Sequence, residues 1–345
     1  MEKKWTIAID AMGGDNAPFS VIAGLDIAYD YLVENRISLL IFGDVAKLNP
    51  LFEKYPRIKN ISSVIHTDKV IQGDDKPSDM IRRFRGKDSS MWMAIDAVRN
   101  KQADAVVSGG NTGCLMAISW LLISTIEGIK RPAITTLLPN TVDYTAMLDL
   151  GANAECDEYN LVQFAIMGSI YAKTLLGKER PKVGILNIGS EEHKGLGYLT
   201  KAQDIFLEEK DHLPFDYYGF VEGDDIMQNK VDVITTDGFS GNIALKSIEG
   251  TARFIKSELK KVFTKSIFSI IGYLFLYRAI KKFKSRIDPR KYNGAVMLGL
   301  NGVVVKSHGG TDALGFSNAV LYASKLIVND FIPKIKEEIK KIEEK

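Results

Sequence analysis

Short apolar runs that each break into a loop of glycine, aspartate and asparagine recur along this chain, with helix-compatible stretches between them. Thr6-Ile-Ala-Ile9 ends in Asp10-Ala-Met-Gly-Gly-Asp15, Ser38-Leu-Leu-Ile-Phe42 ends in Gly43-Asp44, and Asp104-Ala-Val-Val107 ends in Ser108-Gly-Gly-Asn-Thr-Gly113. Ile61-Ser-Ser-Val-Ile65 is a further run, followed after a polar loop by a helical pattern from Ser89 to Asn100. Short apolar runs without polar alternation suit strands covered on both faces. The pattern predicts an α/β fold, an open and mostly parallel sheet sandwiched by helices.

The second half repeats the theme. A helix is expected over Glu158–Leu176, and Lys182-Val-Gly-Ile-Leu-Asn-Ile188 runs into Gly189-Ser-Glu-Glu-His-Lys-Gly195. Strands near Phe215–Phe220 and Val231–Thr235 end in Val221-Glu-Gly-Asp224 and Thr236-Asp-Gly-Phe-Ser-Gly-Asn242. Two hairpins are expected, one joining 133–138 to 146–150 and one turning at Asn301-Gly302, a strong short-range hairpin signal. A closing helix is expected from about Leu314. The chain reads as a single domain in two α/β halves, about 1–155 and 156–345, with no Pro/Ser linker between them. In open α/β sheets ligands sit at the carboxyl ends of strands, where these polar loops cluster.

The Ser108–Gly113 loop joins an apolar run to a helical segment. Converging N–H groups at a helix N-terminus attract an anion. A tight turn without a ligand is the plain alternative. There is no Walker A loop, and Gly195-Leu-Gly197 lacks the third glycine of a dinucleotide fingerprint, so nucleotide phosphate is disfavoured.

Charge is unevenly placed. From Arg253 to Lys291 twelve Lys/Arg face only Glu258 and Asp288, a local excess of +10 in a chain of net charge +2. Within that segment lies Ser266-Ile-Phe-Ser-Ile-Ile-Gly-Tyr-Leu-Phe-Leu-Tyr277, too short for a bilayer span of about 20 residues. A helical hairpin over 243–287 is expected, its tip (Ile267, Phe268, Ile270, Ile271, Leu274, Phe275 and Leu276) dipping into an anionic leaflet. A buried core helix or a subunit contact would explain the same apolar run. Cys114 and Cys156 are the only cysteines and offer no metal spacing or disulfide framework, which fits a reducing cytoplasm. The first residues read as an immediate strand, without the pattern of a signal peptide.

Seven loops occur together in order: Asp10–Asp15, Ser108–Gly113, Asp149-Leu-Gly-Ala-Asn153, Gly189–Gly195, Gly219-Phe-Val-Glu-Gly223, Thr236–Asn242 and Lys306-Ser-His-Gly-Gly310. In this the chain resembles, over nearly its whole length, the bacterial phosphate acyltransferases of phospholipid synthesis, the PlsX family. The resemblance implies an isocitrate/isopropylmalate dehydrogenase-like fold and attack of inorganic phosphate on a long-chain acyl thioester carried by acyl carrier protein. It also implies a homodimer held peripherally on the inner face of the cell membrane. There an integral membrane glycerol-phosphate acyltransferase consumes the acyl phosphate. No cofactor, metal or nucleic acid partner is implied. The alternatives are a phosphotransacetylase-like enzyme acting on short-chain acyl-CoA and a non-catalytic membrane scaffold.

Phosphate is already an anionic nucleophile, so the reaction needs positioning, oxyanion stabilisation and support of the leaving thiolate. Ser108, Gly109, Gly110, Asn111, Thr112 and Gly113 form the expected phosphate cradle, with Asp10, Gly13, Gly14 and Asp15 as first-loop support. Lys194 and Lys306 are the candidate cations, and Asn242 a donor to the oxyanion. His308 is a proton donor to sulfur, and Asp237 a base or an orienter of a cation. Asp15, Asn153 and Asn242 could equally cap helices or close turns. The His-x4-Asp signature of glycerolipid acyltransferases is absent, since His212/Asp216 and His308/Asp312 each enclose three residues.

Overall fold

The computed structural model describes residues 3–82, 86–286 and 288–343. Ile287, the last residue of the expected hairpin, and the side chain of Ile267 in its tip lie outside the described residues. One sheet is built from β1 (Trp5–Asp10), β2 (Ile37–Gly43), β3 (Ser62–His66), β4 (Ala105–Ser108), β5 (Ala133–Pro139), β6 (Tyr144–Leu148), β7 (Lys182–Leu186), β8 (Asp216–Val221), β9 (Val233–Thr235), β10 (Ala295–Leu298) and β11 (Val303–Lys306). Its order is β3-β2-β1-β4-β11-β10-β5-β6-β9-β7-β8. Only the β11–β10, β10–β5 and β5–β6 ladders are antiparallel among the described residues, so the sheet is mostly parallel.

The helices are α1 (Phe19–Glu34), α2 (Val45–Lys54), α3 (Pro56–Lys59), α4 (Pro77–Arg82), α5 (Ser90–Arg99), α6 (Thr112–Ile123), α7 (Glu158–Leu176), α8 (Gly197–Glu208), α9 (Gly238–Thr264), α10 (Ile267–Arg286), α11 (Ala313–Val328) and α12 (Phe331–Glu343). They cover both faces. Successive strand residues point to opposite faces, and Ile7, Ile9, Val107 and Val305 enter the core that holds Leu25 of α1 and Phe316 of α11. Ala8, Val106 and Val304 enter the opposite core with Ile95 of α5 and Ile118 of α6. Two buried faces explain why consecutive positions inside these strands are apolar, with the polar residues at their ends. Helices α1 and α11 approach closely at Gly24, where a Cβ would stand 2.7 Å from the Ala313 carbonyl oxygen.

Local signals act where side chains cap. Ser89 Oγ accepts from Trp92 N at 3.3 Å to start α5, and Asp157 with Asn160 makes a capping box at α7. The two expected hairpins form as β5–β6 and β10–β11. Other boundaries move. The helix expected from Asn242 starts at Gly238, because Asp237 Oδ1 accepts from Ser240 N and caps it earlier. The closing helix is divided into α11 and α12 at Asp330, whose φ of 52° leaves the helical region.

Chain order and sheet order differ. The halves expected at about 1–155 and 156–345 interleave, since β10 and β11 lie between β4 and β5. Helices α9 and α10 form the expected hairpin. Among the described residues only its base joins a core, through Ala244, Leu245 and Ile248, and Arg286, where α10 returns to that base, donates to the carbonyls of Asn140 and Thr141. In the tip Phe268 is 81% exposed, Leu274 66% and Phe275 86%, with Ile270, Ile271 and Leu276 also exposed, so this chain does not bury the segment in a core. No described helix is long and apolar enough to cross a membrane.

Candidate active site

Three adjacent parallel strands, β1, β4 and β11, end in register, with Asp10 beside Ser108 and Ser108 beside Lys306. Their loops therefore meet. Ser108 Oγ donates to Asp10 Oδ2 at 2.6 Å and accepts from Gly110 N at 3.0 Å, with both side chains buried. Asp15 N donates to the Gly309 carbonyl at 2.9 Å. The contact is close because Gly14 holds φ +112°, and a Cβ on Gly13 would fall 2.3 Å from Asp10 Oδ2 and 2.7 Å from Gly110 N. Any side chain there would push the first and fourth strand loops apart.

Lys306 is buried beneath this junction. Its Nζ donates to the Gly109 carbonyl at 3.2 Å and to that of Ser307. Burial lowers its pKa to about 8, against the opposing pull of Asp10 and Asp15. Desolvation likewise raises the Asp10 carboxyl above its ordinary range, opposed by its hydrogen bond from Ser108. Asn111 caps α6 by accepting from Cys114 N at 2.9 Å, while its Nδ2 ties down the carbonyls of Gly73 and Asp75 at 2.8 and 3.1 Å. Thr112 and Gly113 follow in the first turn of α6, where N–H groups have no intrahelical acceptor. The junction thus combines a buried ammonium, a helix N-terminus and several close-set backbone groups. It suits a small multiply charged anion.

His308 stands at the rim. Its backbone N–H donates to Asn293 Oδ1 at 2.8 Å, and its Nδ1 accepts from Gly310 N at 3.3 Å, which places the proton of the neutral ring on Nε2. Asn293 is buried and also donates to Ser307 Oγ at 2.8 Å and to the Gly315 carbonyl at 2.7 Å. It fixes the Lys306–His308 loop and was not anticipated from the sequence.

The remaining candidates form a second group around β6, β9 and β7, which run antiparallel to β4 through the β10–β5–β6 ladders. Asp149 is fully buried and accepts from Ile134, Gly151, Ala152 and Asn153 N–H groups and from Asn153 Nδ2. Both Asp237 oxygens are occupied, one by Ser240 N and the other by the Tyr198 hydroxyl at 2.9 Å. Asn242 lies against Gly151. Lys194 is 43% exposed and pairs with Glu191 at 2.7 Å, a hydrogen bond that raises its pKa. Asn187 Nδ2 donates to the Lys194 carbonyl at 2.9 Å and shapes that loop. Among the described residues, no hydrogen bond or ion pair joins the two groups. Asp149, Asn187, Tyr198 and Asn293 are thus the framework residues that sequence reading did not assign. The one local hint was an aspartate directly after an apolar run.

Neither cysteine offers a nucleophile. Burial raises Cys114 to about 11 and Cys156 to about 12, so both thiols stay protonated at neutral pH.

A family model described as "Fatty acid synthesis protein" matches residues 5–334. A phosphate acyltransferase of Rhodospirillum centenum is 49% identical over 343 residues, 99% of this chain and 95% of that protein. One from Paramagnetospirillum magneticum is 47% identical, over 98% of this chain and 94% of its own length. Among solved structures, a phosphotransacetylase from Streptococcus pyogenes superposes with a TM-score of 0.62 at 15% identity, over 95% of each chain. A branched-chain phosphotransacylase from Enterococcus faecalis gives 0.56 at 10% identity, over 94% of this chain and 99% of its own. At such identities these two establish the shared fold alone.

Proposed function

The chain belongs to the fatty acid synthesis protein family, whose curated relatives are phosphate acyltransferases, and from that premise we propose how its residues transfer an acyl group to inorganic phosphate. The donor in this reading is a long-chain acyl thioester on acyl carrier protein, and the product an acyl phosphate. The observation that carries it is Lys306, buried under the Gly109 carbonyl where three loops meet at the start of α6.

Phosphate sits over the first turn of α6, drawn by the Lys306 ammonium and the helix N-terminus. One of its oxygens attacks the thioester carbonyl carbon. A C–O bond forms, the carbonyl oxygen becomes an oxyanion, and its collapse breaks the C–S bond. His308 Nε2–H donates a hydrogen bond to the leaving sulfur, and the thiolate departs as the anion or takes a proton from water. Ser108 and Asn111 act as positioning groups in this account, because their side chains are already engaged with Asp10, Gly110, Cys114 and the 73–75 loop. Asp237, Asn242 and Lys194 belong to the second group, where Asp237 caps α9 and holds Tyr198.

The exposed apolar tip and basic flanks of α9–α10 support a further part of the reading, peripheral attachment to an anionic membrane face, and the reading includes a homodimer by the family resemblance alone. At that face an integral membrane acyltransferase would receive the product. A second reading, a phosphotransacetylase-like enzyme for short-chain acyl-CoA, would use the same attack of phosphate on a thioester. Acyl-phosphate formation should be compared for hexadecanoyl acyl carrier protein and acetyl-CoA. Preference for acetyl-CoA would replace the first reading by the second, and full activity of Lys306→Met would remove Lys306 from the site.

A further inference from the structure

Helix α6 carries an apolar face away from the cradle, packed against α4 near Gly113 and exposed at Trp120 and Leu121. Gly113, Ala117 and Leu121 are spaced four residues apart, with Trp120 beside them, and residues so spaced share one helix face. Helix α4 starts at the same place. A Cβ on Gly113 would touch Pro77 Cγ at 3.1 Å, and Asn111 holds the carbonyls of Gly73 and Asp75 just before it. Further along both helices a groove of about 420 Å³ opens, lined by Ile81, Ala117, Trp120 and Leu121. Among the described residues, no charged side chain lines it. Trp120 is 45% and Leu121 48% exposed, large apolar surfaces left uncovered in this chain.

We infer that this groove holds the hydrocarbon chain of the acyl donor and so sets chain-length preference. The inference rests on the acyl-transfer reading above. During transfer the acyl carbonyl carbon is bonded to phosphate, so the chain leaves the cradle at the first turn of α6. From Gly113 to Leu121 the helix rises about 12 Å at 1.5 Å per residue, a path that a long acyl chain covers and a short one does not. Ala117 is the small residue on that face between Gly113 and Leu121 and itself lines the groove.

The test uses the full-length protein, inorganic phosphate, and acyl carrier protein loaded with hexadecanoyl or butanoyl groups. Ala117→Phe, which obstructs the groove, should lower the ratio of kcat/KM for hexadecanoyl over butanoyl donor at least about tenfold, as loss of apolar pocket contacts does elsewhere. Ala117→Ser should keep the ratio near its original value. An unchanged ratio in Ala117→Phe overturns the inference, as does an unchanged ratio accompanied by a shift in oligomeric state, which would make the groove a contact between copies of this chain. An unmodified protein that forms acyl phosphate from neither donor refutes the acyl-transfer reading itself. A binding measurement is independent of variant folding at Ala117. Dibrominated octadecanoate should quench tryptophan emission, and Trp120→Leu should remove that quenching; quenching that survives the substitution overturns the groove.

Discussion

Lys306 is buried among backbone carbonyls with Asp10 and Asp15 nearby, and its pKa of about 8 gives pH two opposite effects. Between about pH 8 and the ordinary lysine value of 10.5 the unfolded chain binds a proton that the folded chain has released. Stability therefore gains from this residue as pH rises through that window and loses it as pH falls back. Anion binding runs the other way. We expect kcat/KM for phosphate to fall as pH rises through about 8, and Lys306→Arg to flatten that limb in a pH–rate profile. Lys306→Met should lower kcat/KM by ~10²-fold, the scale for losing one preorganised charge-stabilising donor. Asp10→Ala leaves the buried Ser108 hydroxyl without its acceptor and should cost about 1–3 kcal/mol in urea unfolding. At this scale the sequence announced the loops and concealed the atoms. Asn111 and Asp237 looked like ligand groups because Asn and Asp suit both chemistry and capping, and capping is what their side chains do here. Asn293 and Tyr198 act on Ser307, His308 and Asp237 across 14 to 39 positions, and no local pattern marks such a partner.

Elements were more legible, because caps and apolar runs are local. The span Glu158–Leu176 was readable from Asp157 at one end and Gly177, with φ 68°, at the other. The start of α9 lies one turn before the expected Asn242, because an aspartate that suits chemistry, Asp237, here caps the helix. The α9–α10 hairpin was readable from its charge, and its exposure shows that the apolar tip has no partner within the chain core. Replacing Phe268 and Phe275 together by Glu should sharply reduce cosedimentation with phosphatidylglycerol vesicles. Unfolding free energy should move by no more than about 0.5 kcal/mol, as is usual for exposed positions. Binding by the unchanged protein should also weaken as salt is raised, because basic flanks attract the anionic surface through a screened potential. Unaltered vesicle binding by the double variant would assign the tip to another partner.

The whole molecule was the least legible scale, because strand order depends on pairings between residues remote in sequence. A mostly parallel sheet followed from the two-faced apolar strands, whereas the entry of β10 and β11 between β4 and β5 has no sequence signature. Residues 1–155 alone would lack β11 beside β4 and α11 beneath α1, and should show no cooperative unfolding transition by circular dichroism. The β4–β11 ladder also sets an order of events in the cell. Gly109 and Lys306 are 197 positions apart, so the ammonium cannot reach its place until the chain through β11 has left the ribosome. Contacts so distant along the chain close late. Nascent chains and chains terminated before β11 would therefore be blind to phosphate, and only synthesis beyond Lys306 would switch the anion site on.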